Sequence, residues 1–287
     1  METYRIADIP IALTGDFGQY YQKRMEEYKA AGEKPEMVFE AFRECENIPM
    51  PEGEVIANIN QRYWLKKKDG GLVSMDRIPW FSDQILNLTE ADSMWQNIRL
   101  LTCKSDLIQI DSELRAFNMV GETMKYAILE KNGVFIHSSA LCYHDQGVLF
   151  SAPSGTGKST HTGLWKKYYP EETTIINDDM PAIRFMEGVP YVYGTPWSGK
   201  TDINTNIRVP LKAIVFITRG KNSIRRIAGA EAVWRLLDET RKPAVPELMQ
   251  RNLDMLSKIL SSVPAYLLSC DMSREAVETS KSILESE

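Results

Sequence analysis

The sequence of 287 residues predicts a mixed α/β fold, an α+β arrangement with mixed rather than purely parallel sheets. Short apolar runs typical of strands recur along the chain, and turns such as Asp69-Gly70-Gly71 join several of them into hairpins. Segments with apolar residues at every third or fourth position, typical of helices, lie between these runs. One apolar strand, 147–151, leads into a glycine-rich loop and then a helix. The many hairpins argue against a regularly alternating, doubly wound parallel sheet.

The composition is that of a globular protein, with 43% hydrophobic and 25% charged residues. The formal net charge of −5 gives no indication of a nucleic-acid partner. No apolar run has the length of a membrane span, and the first ten residues lack the pattern of a secretory signal, so we expect a cytoplasmic protein without a membrane partner. Four widely spaced cysteines are then expected to be reduced and buried: Cys45, Cys103, Cys142 and Cys270.

Residues 1–110 are predicted to form a smaller α+β region whose role the sequence does not indicate. The aromatic residues after Phe17 recur at helical spacing, and Gly32 ends that segment. Alternation and turn residues predict strands on both sides of the Asp69-Gly70-Gly71 turn. The predicted elements are a strand at 4–13, helices at 17–31 and 36–46, strands at 55–68 and 71–78, and one or two strands within 94–110.

Residues 111–287 are predicted to form the domain that carries the chemistry. Its first helix, 114–129, has apolar residues every three or four positions, and Asp111 or Ser112 can cap its start. Further predicted strands, several of them in hairpins, and further predicted helices follow to the end of the chain. The predicted strands are 134–143, 147–151, 173–177, 181–185, 189–193, 211–218, 224–227 and 265–270, and the predicted helices are 158–168, 230–239, 245–262 and 273–284.

The loop after strand 147–151 predicts a phosphate-binding site. Its glycines allow successive backbone N–H groups to turn toward an anion, and the N-terminus of the next helix adds a positive field. Lys158 would reach the outer phosphates, and the Ser159 hydroxyl would bind magnesium. The usual first glycine is replaced by Ala152, and a glycine-rich turn that binds nothing is the alternative. The predicted phosphate-binding residues are Ser154, Gly155, Thr156, Gly157, Lys158, Ser159 and Thr160.

Asp178 and Asp179 follow the predicted strand 173–177, at the position where a magnesium-binding aspartate is expected downstream of such a loop. Two adjacent carboxylates can divide the work, one binding magnesium and the other accepting the proton of an attacking hydroxyl. Successive strand residues point in opposite directions, so the backbone must turn if both serve one site. A solvated pair at a strand end, or a helix cap, is the alternative.

The histidines and three cations are further candidates. His137 lies in an apolar strand, where a core role and a catalytic role are equally compatible with the sequence. His144 is expected in a turn, and His161 is expected to pack or cap in the first turn of helix 158–168. Their spacing does not match a zinc motif. Lys200, in a glycine-containing loop, is a candidate for closing on the transferred phosphoryl group. For Arg208 and Arg219, a role in the site and an ordinary surface position are equally compatible with the sequence.

Four segments together resemble the HPr kinase/phosphorylase-like family, which shares its fold with ATP-dependent phosphoenolpyruvate carboxykinase. They read IHSSALCYHDQGVLFSAPSGTGKSTH, NDDMPAI, GTPWSGK, and a later strand followed by RG. The resemblance runs from about residue 132 to the C-terminus. It implies a P-loop kinase core of that family. It also implies a divergent member, because GTPWSGK replaces the family's own signature and residues 1–110 do not resemble its regulatory domain.

The resemblance implies roles for individual residues. Lys158 and Ser159 match the nucleotide and magnesium site, Asp178 matches the catalytic base, Asp179 matches the neighbouring acid on the metal side, and His137 matches the active-site histidine. The family's later acidic residue has no clear counterpart, although Asp202 lies nearby. The family includes oligomers, so a homo-oligomer is among the arrangements that the resemblance allows.

The sequence therefore predicts an ATP- and Mg²⁺-dependent kinase that phosphorylates a serine-like hydroxyl on a peptide, a protein or a small molecule. A nucleotide-binding accessory or switch protein without phosphoryl transfer is the alternative. A carboxykinase-like decarboxylation is less favoured, because the chain has no recognisable organic-acid site. The sequence does not identify the acceptor or the preferred nucleotide.

Overall fold

The computed structural model describes residues 2–59, 61–77, 84–104 and 111–285. The chain forms two compact units, one of Met1–Ala127 with Pro243–Met249 and the other of Ile128–Lys242 with Gln250–Glu287. Each unit contains a mixed sheet, which confirms the predicted mixed α/β class. The predicted domain boundary after residue 110 stays a prediction.

The first unit contains a mixed sheet in the strand order β1-β2-β3-β8-β7-β6-β5-β4. Strands β2, β3 and β8 are parallel to one another, and the remaining neighbours are antiparallel. The strands are β1 (Glu2–Ile6), β2 (Ile9–Gly15), β3 (Met37–Cys45), β4 (Glu54–Ile59), β5 (Arg62–Lys66), β6 (Leu72–Arg77), β7 (Ile85–Ala91) and β8 (Asn97–Cys103). The helices are α1 (Gly18–Met25), continued by a 3-10 turn (Glu26–Tyr28), and α2 (Ser112–Ala127).

The prediction of a helix at 36–46 is wrong, because this segment forms the central strand β3. Ala, Glu and Arg within it favour helix on local propensity. Met37, Phe39 and Ala41 are buried while Glu40 is exposed, which is the two-residue alternation of a strand. Parallel pairing with β2 and β8 on either side overrides the local preference.

Three other strand predictions in this unit differ from the structure in detail. The segment 4–13 is a hairpin rather than one strand, since Ala7 and Asp8 adopt positive φ values of 49° and 58° between β1 and β2. The segment 55–68 is likewise divided into β4 and β5. Strand β8 confirms part of the prediction at 94–110, and residues 105–110 lie outside the described residues, as does residue 78 of the strand predicted at 71–78. Strand β7 was not predicted.

The second unit contains a mixed sheet in the order β12-β10-β11-β15-β14-β13-β9, with β17 beside β15 and β16 beside β17. Its strands are β9 (Gly133–Phe135), β10 (Ser138–Tyr143), β11 (Gln146–Ser151), β12 (Thr173–Asn177), β13 (Ala182–Met186), β14 (Val189–Tyr193), β15 (Arg208–Arg219), β16 (Ser223–Ile227) and β17 (Ala265–Cys270). A 3-10 turn (Ile128–Lys131) precedes α3 (Lys158–Tyr168), α4 (Gly229–Asp238), α5 (Pro246–Ser262) and α6 (Arg274–Glu285). The first four residues of α5, 246–249, belong to the first unit.

Strand β15 organises this sheet because different parts of it pair with different strands. Its first residues are antiparallel to β14, and its later residues are parallel to both β11 and β17. An apolar core that includes Phe150, Trp165 and Val277 packs α3 and α6 against this part of the sheet. The core holds the end of β11 and the start of α3, which is where the predicted phosphate loop lies.

Candidate functional site

The glycine-rich loop joins the end of β11 at Ser151 to the start of α3 at Lys158. Gly155 and Gly157 have φ values of +76° and +123°, a region that side-chain-bearing residues rarely adopt. No heavy atom lies within 4 Å of the position that a Cβ would take at either glycine. The loop therefore leaves open space at its backbone, and the N-terminus of an 11-residue helix follows directly.

Lys158 is the first residue of α3 and is only 7% exposed. Its Nζ donates a hydrogen bond to the carbonyl of Ala152 at 2.7 Å and lies 3.2 Å from Nε2 of His137. Burial lowers the pKa of Lys158, against the opposing effect of Glu239, Asp179 and Asp178. A buried ammonium held only by a carbonyl and an imidazole is ready to exchange those partners for an anion.

His137 lies in the break between β9 and β10, where the single strand predicted at 134–143 is interrupted. Its backbone N–H donates to the carbonyl of Glu239 at 2.7 Å, and its Nδ1 lies 2.7 Å from Oε2 of the same residue. A carboxylate oxygen at this distance favours the tautomer that carries the hydrogen on Nδ1, because that hydrogen can then be donated to Glu239. Nε2 then faces Lys158 and lies 3.5 Å from Oδ1 of Asp179.

Glu239 was missed by the sequence reasoning, although it is the residue that fixes His137. It is 8% exposed and directly follows the last residue of α4, at a sequence distance of 102 residues from the histidine. An acidic group is unfavourable at a helix C-terminus, so its position there was a usable signal. We call His137, Lys158, Asp179 and Glu239 the His137 cluster.

Asn177 makes the backbone turn that the two aspartates require. Its Oδ1 accepts the N–H groups of Asp179 at 2.8 Å and Met180 at 2.7 Å, and its Nδ2 donates to the carbonyl of Thr195 at 2.8 Å. This is an Asx-type turn directly after β12. The turn gives the carboxylates of Asp178 and Asp179 different surroundings.

Asp178 is buried among hydroxyl groups. The Ser139 hydroxyl donates to Oδ1 at 2.8 Å, and the Thr201 hydroxyl donates to Oδ2 at 3.0 Å. Ser139 also contacts the hydroxyl of Thr162 on α3 at 2.8 Å. Asp179 is instead 37% exposed at its side chain and faces His137. One carboxylate is thus held by protein hydroxyls, and the other is open to a ligand.

The remaining predicted residues are placed as follows. Ser154, Gly155, Ser159 and Thr160 are exposed, and Thr156 and Gly157 are half-buried. Lys200 is exposed and, among the described residues, makes no hydrogen bond or ion pair with the His137 cluster. The structure therefore brings His137, Lys158 and Asp179 together, and Lys200 directly follows Gly199, which lies beside the Asp179 side chain.

A cavity of about 450 Å³ adjoins the loop, lined in part by Leu164, Ile217 and Met272. Arg219 also lines it and donates to the carbonyl of Gly155 at 2.6 Å, with a longer contact of 3.4 Å to that of Thr156. The volume of the cavity and its largely apolar wall suit an organic ring system bound next to the loop. Arg208, the other candidate cation, lies over the ring of Tyr191.

The other two histidines are not part of the His137 cluster, although His161 is among the residues that line the cavity beside the loop. His144 has a φ of 46° in the turn between β10 and β11, which confirms the predicted turn position. His161 is 2% exposed, and its Nε2 contacts the Ser280 hydroxyl at 3.0 Å and the indole N–H of Trp165 at 3.3 Å. Burial lowers its pKa to about 4, so it is a neutral core residue at pH 7. The prediction that it packs is confirmed.

The described residues contain neither a cluster of metal ligands nor a membrane-spanning helix. Across residues 2–59, 61–77, 84–104 and 111–285, no group of three or more His, Cys, Asp or Glu side chains is arranged to bind a metal ion. In the same part of the chain, no helix combines the length and apolar character needed to cross a membrane. The four cysteines are free, with Cys45 half-buried and the other three buried.

No protein-family model matches the chain, and no curated protein matches it. Among solved structures, the Hpr(Ser) kinase/phosphatase from Coxiella burnetii is similar to it, with a TM-score of 0.33 and 10% sequence identity. The similarity covers 53% of this chain and 88% of that chain. At this level it is a weak structural neighbour and does not show membership of a family.

Proposed function

We propose that the chain is an ATP- and Mg²⁺-dependent kinase that transfers a phosphoryl group to a serine-like hydroxyl on a peptide, a protein or a small molecule. The observation that carries this proposal is the approach of Nζ of Lys158 to within 3.2 Å of Nε2 of His137, directly behind the glycine-rich loop. Phosphoryl transfer depends mainly on positioned charges of this kind. The sequence resemblance to HPr kinase-like proteins gives independent support.

The loop and α3 would hold the nucleotide. Open space at Gly155 and Gly157 allows phosphate oxygens to approach the backbone N–H groups, and Lys158 would exchange the Ala152 carbonyl for a phosphate oxygen. The adjoining cavity of about 450 Å³ would take the base and sugar. ATP supplies the transferred group, and Mg²⁺ neutralises the charge of its phosphates. Ser159 and Asp179, both accessible, would hold the ion, with phosphate oxygens and water completing its shell.

Asp178 would orient and deprotonate the acceptor. Its Oδ2 already accepts a hydrogen bond from a hydroxyl, that of Thr201, and a substrate hydroxyl can take the same position. The substrate oxygen would then attack the terminal phosphorus, its proton would pass to Asp178, and the bond to the leaving diphosphate would break. His137, fixed by Glu239, would stabilise charge beside Lys158, and Lys200 would close on the phosphoryl group from the 194–207 loop.

The experiment is transfer of the labelled terminal phosphate of ATP to free serine and to serine-containing peptides, with and without Mg²⁺. We expect a labelled acceptor only when Mg²⁺ is present. Lys158→Met should reduce transfer at least about a hundredfold, because it removes a charge that meets the phosphates. Lys167→Met, on the exposed side of the same helix, is the matched control and should retain activity.

Binding of ATP without transfer to any hydroxyl acceptor would contradict the kinase proposal. That result would favour the alternative of a nucleotide-binding accessory or switch protein. Equal transfer by wild type and Lys158→Met would contradict the assigned phosphate site even if the chain is a kinase.

A further inference from the structure

The first unit contains a cavity of about 260 Å³ that the kinase proposal does not use. It lies between the sheet strands β5–β7 and helix α2, and the described residues that line it all belong to this unit. The opposite face of the same strands packs an apolar cluster that includes Leu65, Val73 and Met75. The cavity is therefore on the second face of the sheet, and the residues that line it need a separate explanation.

Helix α2 turns a polar stripe toward this cavity. Arg115, Asn118 and Glu122 recur at the three- and four-residue spacing of one helix face, and Thr123 lies next to Glu122 on the same side. Opposite them, alternate residues of the strands are also polar: Arg62, Ser74, Asp76, Asn87 and Thr89. An interface that served only to hold a helix on a sheet would be expected to be apolar, because buried polar groups cost free energy unless they are paired.

Most of the charge in the cavity is paired within the protein. Arg62 donates two hydrogen bonds to Asp76, at 2.7 Å and 2.9 Å, and lies 3.5 Å from Glu122. Glu122 is also paired with Lys125, whose Nζ lies 3.2 Å from its other oxygen, so two cations face the two carboxylates of this wall. A ligand is therefore expected to interact with the remaining charged group.

Arg115 is that group. It is 9% exposed, and its guanidinium donates to the carbonyl of Cys103 at 2.8 Å and makes a long contact of 3.5 Å to Oδ1 of Asn87. Its Nε is buried without a partner, and among the described residues no carboxylate forms an ion pair with it. Burial lowers the pKa of Arg115. A buried guanidinium that no carboxylate of the described residues neutralises is suited to a carboxylate ligand, which matches its planar geometry.

The rest of the cavity wall is aromatic. Trp64 and Trp95 are each 4% exposed and both contact the ring of Tyr126, with ring centroids 4.9 Å and 6.5 Å away. Trp95 is stacked on Tyr126 at an interplanar angle of 20°, whereas Trp64 stands edge-on to Tyr126 at 77°, so the rings form an apolar corner beside the polar residues. The exposed Asn118 marks the side that is open to solvent.

We propose that this cavity is a binding site for a small organic carboxylate with a flat apolar body, held by Arg115 and by the rings of Trp64, Trp95 and Tyr126. The size of the cavity limits the ligand to less than a typical drug-sized molecule. The proposal is independent of the kinase proposal, because binding requires neither ATP nor the glycine-rich loop.

The test is titration of the full chain, without ATP, with phenylacetate and L-phenylalanine. Binding is measured by calorimetry and by the intrinsic tryptophan fluorescence, to which Trp64 and Trp95 contribute. We expect at least one of these carboxylates to bind and to change the fluorescence. Benzyl alcohol, which lacks the carboxylate, and acetate, which lacks the ring, should each bind at least about tenfold more weakly.

Two variants separate the site from general effects on folding. Arg115→Gln should weaken binding at least about tenfold, whereas Arg99→Gln, at an exposed arginine of β8, should not change it. Ser74→Leu adds volume inside the cavity without removing a hydrogen bond that the structure shows, and it should also weaken binding, which keeps the test valid if Arg115→Gln does not fold. Absence of binding by both carboxylates, or equal binding by wild type and Ser74→Leu, would overturn the proposal.

Discussion

Glu239 and His137 show how a single buried carboxylate sets the chemistry of its neighbour. The contact of 2.7 Å between Oε2 and Nδ1 orients the imidazole so that Nε2 points toward Lys158 and Asp179. The main chain of Glu239 supports the same residue through the N–H of His137. We therefore regard Glu239 as a positioning residue for the proposed reaction.

Glu239→Gln is expected to reduce the rate of phosphoryl transfer about tenfold or more while leaving ATP binding largely unchanged, because the amide keeps the volume but loses the charge that stabilises one tautomer. The measurement is kcat and KM as functions of pH. Glu239→Asp should restore part of kcat. Glu231→Gln, at an exposed position of α4, is the matched control, and an equal loss in that variant would assign the effect to the helix.

His161 leads to a prediction about stability rather than activity. Its pKa is lowered from 6.5 to about 4 by burial, so the unfolded chain takes up a proton at a higher pH than the folded chain does. The stability that the neutral imidazole contributes is complete above pH 6.5 and is lost as the pH falls from 6.5 to about 4. Over that interval the loss is on the order of 3 kcal/mol, at about 1.4 kcal/mol for each pH unit.

The measurement is the free energy of unfolding of wild type and His161→Gln between pH 8 and pH 4. The difference between the two proteins should decrease as the pH falls, because only the wild type has this histidine to protonate in its unfolded state. A constant difference over the whole range would contradict the assignment.

At the scale of elements, helix starts and tight turns place the functional groups. Asp111 accepts the N–H groups of Glu113 at 2.7 Å and Leu114 at 3.4 Å, which caps α2 as its sequence predicts. Asn177 performs the comparable task after β12 and turns Asp179 toward the His137 cluster. Both are local motifs, but the sequence predicts only the first. An Asn before two aspartates is equally compatible with a turn and with the last residue of a strand.

Asp111→Ala should lower the free energy of unfolding by about 1 kcal/mol, because two N–H groups in the first turn of α2 lose their acceptor. Asp111→Asn retains a capping oxygen and should have a much smaller effect. Chemical denaturation of the three proteins measures the difference. Equal stability of the Ala and Asn variants would show that the cap does not contribute.

At the scale of the whole molecule, the sequence predicts local structure well and long-range pairing poorly. The elements from β11 to α6 lie close to their predicted positions, because their period is clear and turn residues bound them. The parallel pairing of β11 with β15 joins segments about 60 residues apart, and no local pattern indicates it. The helix predicted at 36–46 failed for the same reason, since its pairing partners on both sides decide its structure.

The candidate site shows the same division. Its loop, Lys158 and the two aspartates were found because they form short motifs in one stretch of chain. Glu239, Ser139 and Thr201 were missed, because only the folded chain brings them to His137 and Asp178. The cavity beside Arg115 was equally hidden, since its polar stripe is visible only when α2 is placed against β5–β7.

The central claim is that Asp178 accepts the proton of the substrate hydroxyl in a phosphoryl-transfer reaction. The most direct measurement compares wild type and Asp178→Asn for two quantities, the Kd of ATP and single-turnover transfer of labelled phosphate to the acceptor. If Asp178 is the base, Asp178→Asn should leave the Kd of ATP nearly unchanged and reduce transfer at least about a hundredfold. Full transfer by Asp178→Asn, with ATP bound as tightly as in wild type, would contradict it.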